Sequence, residues 1–361
     1  MENNEMSELN QSQGNEQEQN NKGDDEEILN IGIDLGTSRS AISASNGVKS
    51  WMESFIGWPK DFVAHKLLGK KILFGEEALE NQLSLNIYRP LERGVIKDDS
   101  EQSESAVKEL IRHLIDMAKA QNGYKQTRAI VGVPPRSFNA SKLAIKKLVA
   151  DFADAIMLVS EPFSVAYGIN ALNNAMVIDI GAGTMDFCIM HGTMPSEEDQ
   201  KTILTAGDYI DQQLQSNLRE SFPEADFTLN MVRRFKEQHS FIGQTREKVE
   251  VELQVDGKPT VYDVTKEMRR ACESILPGMV ETMLELIADF NPEYQNKVCN
   301  NIILAGGGSQ IKGLREHIES ILKENGHTSC KVHTSADPLF GGADGALALS
   351  KDMPAEYWEN S

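Results

Sequence analysis

Two short segments carry the residue types of a phosphate site. In Asp34-Leu35-Gly36-Thr37-Ser38 an aspartate closes an apolar run, Gly36 lets the backbone approach a ligand, and Thr37 and Ser38 add hydroxyl and N–H donors. Asp179-Ile180-Gly181-Ala182-Gly183-Thr184 has the same grammar with two glycines. Either segment alone is more simply a hairpin turn with a capping aspartate. As a pair they form opposed jaws for a polyphosphate. Such a ligand is strongly negative, so Asp34 and Asp179 beside it require a divalent cation between them, and magnesium with retained waters suits oxygen ligands. A third segment, Gly306-Gly307-Gly308, strips side chains from a place where a flat base or ribose could lie; its plain alternative is a tight strand-to-helix turn. Ser160-Glu161-Pro162 opens a helix, because proline is favoured in the first turn. Taken alone, Glu161 is a helix-start carboxylate stabilised by the dipole.

The elements that must position these residues come in two copies. IGIDLGTSRSAIS (31–43) is echoed by MVIDIGAGTMDFC (176–188), each an apolar strand, a glycine turn and a second strand. A helical stretch over 106–120 precedes the strand and turn AIVGVPPR (129–136), and one over 275–290 precedes NIILAGGGS (301–309). A duplicated α/β unit follows, with two similar domains facing each other across a cleft. Residues 28–160 with 335–361 make domain I, and 161–334 make domain II. Non-repeated inserts at 56–93 and 206–264 form smaller outer subdomains. Small residues at Ala166 and Gly168, and again in Phe340 to Ala346, predict two closely crossing helices at a hinge.

Composition limits what such a site can serve. The chain has 361 residues, 36 Lys and Arg against 55 Asp and Glu, and a net charge of −19, which leaves no field to attract nucleic acid or anionic lipid. No apolar run is long enough to span a membrane, so membrane insertion is not expected and a cytoplasmic protein is. Residues 1–27, rich in Asn, Gln and Glu, read as a disordered acidic tail. Cys188, Cys272, Cys299 and Cys330 lack C-x-x-C spacing, which argues against a disulfide framework or a zinc site and for small buried apolar side chains.

In this order the segments resemble the actin, sugar kinase and Hsp70 ATPase superfamily: first phosphate loop (34–38), first connecting helix (161–168), second phosphate loop (179–184), adenosine loop (306–308) and second connecting helix (341–346). Within it the chain is similar to the bacterial actins. SEPFSVAYG and RPLERGVIKDD resemble MreB segments, without the basic or amphipathic N-terminal anchor of many of those proteins. FIGWPKDFVAHKLLGKKILFGEEAL, RRFKEQHSFIG and PAEYW resemble the magnetosome-associated branch.

The resemblance implies an α/β actin-like ATPase fold, with two duplicated RNase H-like domains around a nucleotide cleft. It implies ATP/ADP and Mg2+ as cofactors, held by Gly36, Thr37, Ser38, Gly181, Ala182, Gly183, Thr184 and Gly306 to Gly308. Asp34 would hold the metal through water, Asp179 would face it from the other domain, and Glu161 would position the attacking water. Lys236 and Glu237 would contact ribose and adenine, and Gly207 and Asp208 would form a further nucleotide-contacting segment. Expected partners are other copies of the chain in a homopolymeric filament and magnetosome-associated proteins, with no nucleic acid. An MreB-like or plasmid-segregation-type actin, or a small-molecule kinase of the same fold, is the alternative. The kinase would need a base aimed at a bound hydroxyl, and no segment announces one.

Overall fold

The computed structural model describes residues 28–98, 100–119, 123–135 and 139–358; the expected tail at 1–27 lies outside them. Three strands open the chain as a meander, β1 (Ile28–Leu35), β2 (Arg39–Ala44) and β3 (Lys49–Glu53). After the helix α1 (Glu101–Ala118) come β4 (Gln126–Val133), the helix α2 (Asn139–Ala150) and β5 (Ala155–Ser160). The sheet order is β5-β4-β1-β2-β3, with β1, β4 and β5 parallel and β1, β2 and β3 antiparallel. The helix α3 (Glu161–Gly168) leads into a second sheet of β6 (Asn173–Ile180), β7 (Met185–His191), β8 (Gln200–Ile203), β9 (Ile302–Ala305) and β10 (Val332–Thr334). Its order β8-β7-β6-β9-β10 repeats the first sheet strand for strand, with the same directions. The repeat in the sequence is therefore a repeat of topology.

Local chemistry accounts for the elements. Helix α1 starts where Ser100 Oγ accepts the Ser103 N–H at 3.1 Å, with Glu101 and Glu104 in the first turn. Its Val107, Leu110, Ile111, Leu114 and Ile115 recur at helical spacing and are fully buried against the first sheet. The second half adds α4 (Gly207–Ser221), α5 (Leu276–Asp289) and α6 (Leu314–Glu324), whose apolar faces share one core with the second sheet. The first insert has a small core of its own, Leu73, Ala78 and Leu85. No helix among the described residues is long and apolar enough to cross a membrane.

The last helix, α7 (Gly341–Asp352), crosses α3 between the two sheets. Phe163, Val165, Ala346 and Leu349 pack there with Ile130 of β4, Val177 of β6 and Ile303 of β9, joining the halves through an apolar seam. The helices meet at backbone distance. A Cβ on Gly345 would lie 1.8 Å from the Ser164 carbonyl oxygen, and one on Gly168 would lie 2.9 Å from Gly345 Cα. The small residues of the two connecting helices are thus required by the crossing. Gly345→Ala is expected to destabilise the chain by roughly 1–3 kcal/mol through forced separation of the helices. An unchanged urea midpoint for that variant would show that the crossing tolerates a methyl group.

Candidate functional site

Strand ends deliver the chemistry to the cleft. Asp34 lies near the end of β1 and pairs in register with Gly132 of β4, and a Cβ on Gly132 would come within 3.4 Å of Glu161 Cγ. The first residue of α3 therefore lies over the strand beside Asp34. From the second half, Asp179 is the penultimate residue of β6 and stands opposite Asp186 of β7. Directly opposed residues of an antiparallel pair share a face, so the hairpin aims both acids the same way. Asp186 carried no motif signal; the available clue was a lone acid inside the apolar strand MDFCIM, where the first copy has Ala41 opposite Asp34.

Glu161, Asp179 and Asp186 are buried, and no positive side chain among the described residues offsets the group. Enclosure in the cleft, then the charge of Asp179, push Asp34 up to about 7. Burial raises Asp179 to about 6. It also raises Asp186 to about 7, against the hydroxyls of Thr202 and Thr184, which donate to its carboxylate. Glu161 is driven well above the ordinary carboxylate range by burial, and then by Asp34, Asp186 and Asp179. Four carboxyl groups held this way retain protons unless a cation joins them. A hard divalent ion with oxygen ligands fits that donor set.

The two phosphate-type loops face each other. A Cβ on Gly183 would lie 2.5 Å from Thr37 Oγ1 and 2.7 Å from Arg93 Cα, so only glycine lets the jaws approach. Gly36 is equally constrained, since its Cβ would meet the Arg39 carbonyl oxygen at 2.2 Å. Thr37 Oγ1 accepts the Gly94 N–H at 2.7 Å, which spends that hydroxyl on the neighbouring loop. The Ser38 hydroxyl is buried with no protein partner, as a ligand-facing donor would be. The Gly181 N–H donates to the Thr184 carbonyl at 3.0 Å, closing the second loop.

Gly207 and Asp208, at the start of α4, donate their N–H groups to the carbonyls of Gly181 and Ala182 at 3.1 and 2.7 Å, so this segment is fastened to the second loop. Lys236, on the helix Leu229–His239, donates to the Gly207 carbonyl at 2.9 Å and pairs with buried Asp211 at 2.7 Å. Gly306 has φ +69, and a Cβ there would sit 2.3 Å from Asp179 Oδ1; Gly308 lies against Ile180, and Gly307 is open. The glycine triplet thus drapes over the end of β6 and leaves its middle residue clear. Asp208 and Glu237 also pair with arginines. Arg89 grips Asp208 at 2.9 and 3.2 Å, and Arg39 holds Glu237 at 3.0 Å, both across the cleft. Neither arginine stood out in the sequence, where each is one basic residue in a polar stretch.

The family model described as MreB/Mbl protein matches residues 28–356. The chain is 39% identical over 330 residues to the actin-like protein MamK of Magnetospirillum gryphiswaldense, spanning 91% of each chain. Among solved structures it is similar to the MamK double helical filament, with a TM-score of 0.87 and 38% identity over 91% of this chain and 100% of that one. It is also similar to a non-polymerising MamK mutant bound to AMPPNP, with a TM-score of 0.69 and 38% identity over 90% and 99%.

The raised carboxyl groups set a sign for pH dependence. A group whose folded pKa lies above its ordinary value stabilises the fold fully below that ordinary value, and the benefit is lost as pH rises through the folded one. Here the ordinary aspartate value is 3.8 and the folded values are about 6 to 7. The unfolding midpoint of the ligand-free chain is expected to fall between about pH 4 and about pH 7, less steeply in Asp186→Asn, and magnesium should flatten it. Parallel pH profiles for the two proteins would remove Asp186 from the cluster.

Proposed function

The chain belongs to the MreB/Mbl protein family, and on that premise we propose that it is an ATP-hydrolysing bacterial actin whose subunits polymerise into cytoplasmic filaments that organise magnetosomes. The observation that carries the reading is the cleft itself: two facing glycine loops, with four uncompensated carboxyl groups between them. The similarity to the subunit of the MamK double helical filament, with a TM-score of 0.87, supports the filament part.

When bound, magnesium neutralises polyphosphate charge, and ATP offers a γ-phosphoryl group for transfer to water. The chain supplies the rest. Asp34 and Asp179 would hold the metal from opposite halves, and Asp186, fixed by the Thr202 hydroxyl at 2.6 Å, would add a third acid on the second half. Glu161, at the start of α3, would in its ionised form accept a hydrogen bond from the attacking water. Loop backbone at Gly36, Gly181 and Gly183 cradles the phosphates, and Gly307 leaves room for the nucleoside. Residues 28–160 with 335–361 and residues 161–334 act as the two jaws.

Subunit contact needs a surface as well as a cleft. Phe62, Leu67 and Leu83 of the first insert are 81%, 75% and 88% exposed, an apolar set open to solvent. We assign it to the contact with the next subunit.

Two outcomes are expected. Glu161→Gln should lower phosphate release ~10²–10⁴-fold while ATP-dependent sedimentation persists; normal release would remove Glu161 from catalysis. Leu67→Asp with Leu83→Asp should raise the critical concentration for assembly by roughly 10-fold or more without changing the circular dichroism spectrum. An unaltered critical concentration would place the contact elsewhere.

A further inference from the structure

The cysteines are not all inert core residues. Cys188 and Cys272 are buried apart from one another, as the spacing suggested, but Cys299, His327 and Cys330 converge. Cys299 ends the short helix Gln295–Cys299 just before β9, and His327 and Cys330 lie in the connection between α6 and β10. Their two sulfur atoms and one ring nitrogen all lie within 4.8 Å of one another, and Cys299 Sγ is 3.7 Å from His327 Nδ1. A tetrahedral zinc ion with its usual bonds to sulfur and nitrogen sets those two ligand atoms about 3.6 Å apart. The sequence hid the set because Cys299 is remote along the chain from His327-x-x-Cys330.

Backbone bonds hold the three residues in place. The Lys331 N–H donates to the Cys299 carbonyl at 2.9 Å, the His327 N–H to the Leu322 carbonyl at 3.0 Å, and the Ile302 N–H to the Lys331 carbonyl at 3.1 Å. Cys299 is 1% exposed, while His327 and Cys330 are partly open to solvent, which gives an ion a way in. The position is informative too. Cys299 precedes β9, and Gly306 follows it, so the cluster lies at the opposite end of the strand from the cleft.

We propose that Cys299, His327 and Cys330 bind one zinc ion, with water in the fourth position, and that this ion ties the entry of β9 to the entry of β10. Two thiolates and an imidazole select a soft or borderline ion over magnesium, so the site is chemically separate from the carboxylate cleft.

The test uses the full chain, reduced, stripped with chelator and desalted, and titrated with Co2+ alone. The expected result is one cobalt per chain with thiolate-to-cobalt charge-transfer absorption and tetrahedral d–d bands. Zinc should displace the cobalt, and excess magnesium should not. His327→Ala and Cys330→Ser, both at partly exposed positions, should weaken binding by roughly 100-fold or more, and Cys272→Ser should bind as the parent does. Zinc, but not magnesium, should raise the unfolding midpoint of the parent and leave that of His327→Ala unchanged. The absence of cobalt bands in parent protein with four titratable thiols would overturn the proposal. So would bands that survive in both variants, or a Cys299–Cys330 disulfide in the purified chain with no metal uptake after reduction.

Discussion

Buried like charges are the constraint around which this molecule is arranged. Asp34, Glu161, Asp179 and Asp186 come from two sheets and a connecting helix, and each would be cheaper in water than where the fold holds it. Protons relieve the repulsion in the bare chain, and a metal ion relieves it better. Hence the glycines: Gly306 makes room for Asp179, and Gly342, whose Cβ would lie 2.6 Å from Asp34 Oδ2, for Asp34. Stability has been traded for a place where a multiply charged ligand and its cation are at home.

A site shared between two halves is useful only if the halves move as units. Each sheet carries its own apolar core, and α3 and α7 supply the seam between them. Because the helices touch through backbone at Gly345 and Gly168, rotation about that contact needs no large side chain to repack. The acids stand at the ends of strands and helices, so small rotations of the halves change their separation.

Much of this was legible because glycine and aspartate at strand ends leave a mark that apolar residues do not. The duplicated loops, Glu161 at a helix start and the glycine triplet all fall where their local chemistry suggests. Asp186 escaped because its role comes from hairpin register, which pairs it with Asp179, and register is not written in any short motif. The partners of Asp208 and Glu237, Arg89 and Arg39, were not legible, since those arginines come from the other half of the chain. The cysteine and histidine cluster was hidden for the same reason: sequence spacing reports local metal sites and says nothing of residues joined by a β-α-β crossover.

The two ion pairs across the cleft are half-exposed, Arg89 and Asp208 at 21% and 26% and Arg39 and Glu237 at 34% and 36%. Pairs in such surroundings contribute on the order of 0–1 kcal/mol each. Together they bias an open–closed equilibrium by a factor of at most roughly thirty, and less as salt screens them. The clasp is therefore weak, and a ligand or a neighbouring subunit needs only a modest preference for one state to decide the population.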